Sequence, residues 1–177
     1  MSIQISICLI TFKHESFILQ TLNGIYQQEH NLHVELIISD DSSNDSTYDL
    51  ILDYVKNNVF RGEVSIFRNE INLGLYLNFK SLLDRARGTY IALCDGDDYW
   101  CHSKKLQLQF ELLNSNQDLV ACFHNAIVEG INGERFFFHK NLNEGRINPE
   151  QVIKSGGGLF PTSSLFFRNT QEFFEKF

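Results

Sequence analysis

The stretch "TYIALCDGDDYW" (residues 89–100) decides the fold. Its apolar run, Tyr90 to Cys94, reads as a buried β-strand that ends in Asp95, Asp97 and Asp98. Like charges this close repel one another, so a surface turn, a metal ion or a bound ligand has to account for them. Gly96 lets the backbone turn so that the Asp95 and Asp97 side chains can address one side. Tyr99 and Trp100 follow at once, and two large aromatics are an unfavourable pair to leave in a solvated Asp-Gly turn. A site for Mg²⁺ or Mn²⁺ needs only one or two hard carboxylate ligands when phosphate oxygens and water supply the rest.

Upstream, the same pattern repeats. "ISICLITF" (5–12) reads as a strand and "SFILQTLNGIYQQ" (16–28) as an amphipathic helix. "VELIIS" (34–39) is a second strand, almost continuous in apolar residues, as parallel strands covered on both faces are. A helix with Leu50, Ile51, Tyr54 and Val55 on one face follows, then a strand at "EVSIFR" (63–68). The next helix carries Leu75, Phe79, Leu82, Leu83 and Ala86, with Gly88 as its expected C-cap. Strands alternating with helices predict an α/β fold: a mostly parallel central sheet with helices on both faces. Such a sheet binds ligands beyond the carboxyl ends of its strands, where "TFKHES", "SDDSSNDS" and "DGDD" all fall.

Past the acidic cluster, "SKKLQLQFELLNS" (103–115) predicts a helix, "LVACFHNAIVEG" a strand, and "INGERFFFHK" a hairpin return turning at Asn132-Gly133. A short helix is expected within 149–154, a last strand at "TSSLFFR" (162–168) and the start of a helix at "TQEFFEKF". No repeat or linker divides the chain, so 1–177 is expected to be one domain. Its halves are a nucleotide-binding part, 1–101, and the start of an acceptor part, 102–177.

Composition narrows the function. A formal charge of −7 gives no basic footprint, which argues against nucleic acid as a partner. The cysteines Cys8, Cys94, Cys101 and Cys122 form no CxxC pair, and three lie in apolar runs, so reduced thiols in a cytoplasmic protein are expected rather than disulfides or zinc. The amino terminus lacks the basic region of a signal peptide, and no apolar run reaches membrane-spanning length.

Within the polar clusters, two readings stay open for Asp41: a ligand contact, or a cap for the helix that follows. Thr11 and Phe12 stand where the first strand meets its loop, and His124 with Asn125 makes a polar pair inside an apolar run.

On these residues the chain resembles the family 2 glycosyltransferases with the GT-A fold. Four ordered elements carry the likeness: "ITFKHESFILQTLNGIYQQ", "ISDDSSNDST", "RNEINLG" and "ARGTYIALCDGDDYW". Phe12 and Lys13 replace the Tyr and Asn of the family's first motif. "DYW…KL…Q" and "CFHNA" resemble a bacterial subgroup found in polysaccharide and O-antigen gene sets. The resemblance implies an inverting, metal-dependent transfer from a nucleotide-diphosphate sugar, a UDP-sugar foremost, to a saccharide or lipid-linked acceptor. It implies that Asp41 contacts the base beside Thr11 and Phe12, that the loop at Gly74 packs along the nucleoside, and that Asp95 faces ribose and diphosphate. Asp97 would coordinate Mn²⁺ or Mg²⁺, with Asp98, Trp100 and His124 towards the acceptor side. The family's catalytic base belongs to a later acidic motif, and no aspartate follows Asp118, so the base is expected beyond Phe177 and the chain to be truncated. A nucleotide-sugar-binding module without catalysis is the alternative. Phe173, Phe174 and Phe177 would favour a homo-oligomer, and missing segments would provide peripheral attachment at the inner face of the cytoplasmic membrane.

Overall fold

The computed structural model describes residues 2–130, 132–140, 145–155 and 158–170. Four parallel strands form its centre: β1 (Ile5–Thr11), β2 (Val34–Asp40), β3 (Glu63–Arg68) and β4 (Tyr90–Asp95). Between them run α1 (Ile18–Tyr26), α2 (Thr47–Asn57) and α3 (Gly74–Leu83), and α4 (Lys105–Ser115) follows β4. The later residues add β5 (Ala121–Cys122), a two-stranded hairpin β6 (Ile127–Glu129) and β7 (Arg135–Phe137), α5 (Pro149–Ser155), and β8 (Phe166–Arg168). The main sheet runs β3-β2-β1-β4-β8-β5, and β8 is antiparallel to both of its neighbours.

Alternation along β1 divides the core. Ile5, Ile7 and Leu9 pack with Ile18, Leu22 and Ile25 of α1, Ile51 of α2, and Leu106 and Leu113 of α4. Cys8 and Ile10 face the opposite way, against Leu82 and Leu83 of α3. All seven residues of β1 and of β2 are buried, because helices cover both faces. The expected α/β architecture is the one found. Among the described residues no helix is long and apolar enough to cross a membrane.

Several expected boundaries move. α3 ends at Leu83, and Gly88 does not cap it; Gly88 lies against β1, where its N–H donates to Ser6 Oγ at 2.8 Å. The strand expected over "LVACFHNAIVEG" divides into β5 and β6, because the Asn125 side chain takes up backbone groups of His139 (Nδ2–H to O, 2.7 Å; Oδ1 from N–H, 3.0 Å). The strand expected over 162–168 starts as a 3-10 turn, Thr162–Ser164, before β8. The helix expected at "TQEFFEKF", with Phe173, Phe174 and Phe177, falls outside the described residues.

At the amino end of the sheet a polar lock joins three segments. The buried Glu35 carboxylate accepts from Ser6 Oγ (2.6 Å), from Arg87 N (2.8 Å) and from the Arg87 guanidinium (Nε 2.8 Å, Nη2 2.6 Å). Ser6→Ala removes one donor to that carboxylate and the acceptor of the Gly88 N–H. Urea denaturation of this variant is expected to show a loss of about 1–3 kcal/mol, and an unchanged midpoint would show that the lock is dispensable.

Candidate functional site

Register brings the polar segments together. Thr11 pairs with Asp40 across β1–β2, and Ile10 pairs with Asp95 across β1–β4, so three strands end at one level. Both following loops turn through left-handed residues, Lys13 (φ 59°) and Ser42 (φ 61°), a costly conformation for a residue with a Cβ. The loops hold each other in place. Lys13 N–H donates to Ser43 Oγ (2.9 Å) and His14 N–H to Thr47 Oγ1 (2.8 Å). Asp40, fully buried, accepts from Ser43 N–H (3.0 Å) and lies 3.4 Å from Arg68 Nε, so it braces this loop.

Asp41 does cap a helix, but not the one that follows it in sequence. Its Oδ1 accepts from Leu73 N–H (2.8 Å) and Asn69 Nδ2–H (2.7 Å), and its Oδ2 from Gly74 N–H (2.9 Å). A buried carboxylate therefore meets the free N–H groups at the start of α3, where the helix dipole favours negative charge. At the start of α2 Ser46 makes no side-chain cap bond, and Asp45 Oδ1 accepts from Thr47 N–H instead (3.1 Å). Gly74 has φ 79°, a conformation suited to glycine.

The acidic turn is gripped on two sides. From α1, Thr21 Oγ1 lies 2.7 Å from the Asp98 carbonyl and 3.0 Å from that of Gly96. From the 3-10 turn, Ser163 Oγ accepts from Asp95 N–H (3.0 Å) and donates to Asp98 Oδ2 (2.6 Å). Gly96 earns its place through close approach, since a Cβ there would sit 2.6 Å from both Thr11 Oγ1 and His14 Nδ1. Burial, then the charges of Asp98 and Asp97, push the Asp95 carboxyl up to about 6. Asp97 is half exposed, with His14 Nε2 at 3.8 Å from its Oδ2.

These segments enclose an open cleft of about 360 Å³. Thr11, Phe12, Asp41, Gly74, Asp95 and Asp97 line it, together with His14, Asn72 and Asn78. Asp98, Trp100 and His124 do not form part of that lining. Trp100 is a correction: it is 6% exposed, its indole N–H donates to Ser163 O (3.0 Å), and Lys105 Nζ stacks 4.0 Å from its ring centre. A side chain packed this way belongs to the core and offers no surface to an acceptor. His124 bonds its Nδ1 to Asn125 O (2.7 Å) on an exposed turn. Neither Ser163 nor Asn78 stands out in sequence, because a serine or an asparagine in an unexceptional segment carries no local signal of a distant partner. Among the described residues no group of three or more His, Cys, Asp or Glu side chains is arranged to hold a metal ion.

Residues 6–172 match the profile of the family described as "Glycosyl transferase family 2". The chain belongs to that family. A relative, the abequosyltransferase RfbV of Salmonella typhimurium, is 34% identical over 178 residues, covering 93% of this family 2 chain and 52% of RfbV. Curated relatives are longer, the chain spanning from 34% to 52% of the first of them. S. aureus TarS 1-349 superposes with a TM-score of 0.66 at 19% identity, over 94% of this chain and 47% of TarS, and TarS has also been solved with UDP-GlcNAc. The mannosyltransferase PcManGT of Pyrobaculum calidifontis, in complex with GDP-Man and Mn²⁺, gives 0.61 at 17% identity, over 68% of this chain and 35% of that one. At these identities the two structures establish a shared GT-A fold.

Lys105 yields a prediction of its own. It is 5% exposed, with Gln109 Oε1 at 2.8 Å as its hydrogen-bond acceptor. Burial pushes its pKa down to about 7, and the neighbouring Cys94 and Cys122 oppose this only in part. Between pH 7 and about 10.4, the ordinary lysine value, the unfolded chain binds the proton that the folded chain gives up. Stability therefore rises with pH across that window. Relative to Lys105→Met, the wild type is expected to gain up to about 1.4 kcal/mol per pH unit there, read from urea denaturation at pH 7 and pH 9. Parallel pH profiles would show that Lys105 keeps an ordinary pKa.

Proposed function

We propose that this cleft holds the nucleoside diphosphate of a sugar donor, UDP foremost, and that the family 2 chain serves inverting glycosyl transfer to a saccharide hydroxyl. One observation carries the proposal: the six residues that motif reading selected from four separated segments line a single cleft beyond the parallel strands. The UDP-GlcNAc of TarS and the GDP-Man of PcManGT support it by likeness of fold.

In this reading the Asp41 carboxylate, with three bonds already made, offers its remaining lone pair to a base N–H such as that of uracil. Phe12 and Leu75, both exposed at the cleft, flank the base and ribose by apolar contact. Asp95 addresses the ribose and the diphosphate. Asp97, free of any close hydrogen-bond partner among the described residues, suits a hard divalent cation, Mn²⁺ or Mg²⁺, completed by phosphate oxygens and water. The donor set fits: Asp95 and Asp97 both border the cleft, and a cation would offset the burial and the charge crowding that together raise the Asp95 pKa. When bound, the cation would offset negative charge developing on the departing diphosphate. His14, Thr11 and Gly96 keep the pocket wall close-packed, so that the carboxylates are presented without rearrangement.

Calorimetric titration with UDP tests this. Binding is expected only with Mn²⁺ or Mg²⁺ present, and Asp97→Ala is expected to weaken it by about tenfold or more and remove the metal requirement. Gly96→Ala, which forces Thr11 and His14 apart, is expected to weaken it by a similar factor of about ten. Tight UDP binding without metal would overturn the proposal.

A further inference from the structure

The acidic turn depends on a residue that lies 65 positions away from Asp98 in the chain. Ser163 sits in the 3-10 turn ahead of β8 and is 8% exposed. Its hydroxyl accepts from Asp95 N–H at 3.0 Å and donates to Asp98 Oδ2 at 2.6 Å. The directions are forced, since an amide only donates and an ionised carboxylate only accepts. A group between them has to do both, as a hydroxyl does and a carbonyl or methyl does not. The Ser163 carbonyl also accepts from the Trp100 indole, so backbone and side chain of one residue fix both ends of the turn.

We propose that Ser163 is a positioning residue for the donor site: it draws the Asp98 carboxylate away from the cleft and fixes the Asp95 backbone, so that Asp95 and Asp97 alone face the diphosphate. The inference rests on the donor-site reading above. Asp97 and Asp98 are adjacent in sequence, yet Asp97 lines the cleft and Asp98 does not. Ser163 supplies the bond that separates them. Without its hydroxyl, the Asp98 carboxylate loses its close donor beside Asp95 and is free to rotate towards the cleft. A third carboxylate there competes for the cation and repels the diphosphate.

The test compares UDP affinity with and without Mn²⁺ in the wild type, Ser163→Ala, Ser163→Thr and the double variant Ser163→Ala/Asp98→Asn, with thermal midpoints measured alongside. Ser163→Ala is expected to lose about tenfold in Mn²⁺-dependent affinity, while Ser163→Thr, which keeps the hydroxyl, stays within about threefold of wild type. The double variant is expected to recover most of the loss, because a neutral amide no longer competes. A role confined to folding would lower the midpoint of Ser163→Ala and leave the metal dependence of UDP binding unchanged. Metal-dependent wild-type binding that Ser163→Ala leaves within about twofold, or a loss that Asp98→Asn fails to relieve, overturns this inference alone. Absence of metal-dependent UDP binding in the wild type overturns the donor-site reading and this inference with it.

Discussion

In-register parallel pairing of β1 with β2 and β4 is the constraint on which the site depends. It stops three strands at one level, with Thr11 beside Asp40 and Ile10 beside Asp95. Each strand end then has to turn sharply at the same rim, and left-handed Lys13 and Ser42 do so next to one another. Helices on both faces bury the strands and leave the carboxyl ends as the open edge. The cleft follows from that arrangement, and its residues come together from segments that share no local sequence context.

Electrostatics sets the second constraint. Asp40, Asp41, Asp95, Asp97 and Asp98 gather on this rim, and the structure deals with each differently. Asp40 faces Arg68, and Asp41 caps α3. Asp98 bonds Ser163, whereas Asp95 has its pKa raised by burial first and by its acidic neighbours second. Asp97 is the one left half exposed with no hydrogen-bond partner recorded among the described residues. Crowded charge of this kind opposes folding unless it is partnered, and sites that bind ions or charged ligands are where such crowding is retained.

The strands and the rim were legible in the sequence because their signals are local. Largely apolar runs mark β1, β2 and β4, and polar clusters mark their ends. What the sequence hid were contacts between distant segments. Asp41 left two readings open, a ligand contact or a cap for the next helix, and the helix it caps is α3, 33 positions away from it at Gly74. Trp100 was expected on the acceptor side and is sealed by Lys105 and Ser163. Gly88 looked like a helix terminator and is a close approach to Ser6. Asn125 interrupts a strand by imitating a backbone partner, which no apolar periodicity encodes.

The most direct measurement of the central claim is the paramagnetic broadening of backbone amide NMR signals by Mn²⁺, recorded with and without UDP. Broadening that requires UDP and centres on Gly96, Asp97 and the Thr11–His14 loop is the predicted result. Broadening that is independent of UDP, or that centres away from the ends of β1 and β4, would contradict it.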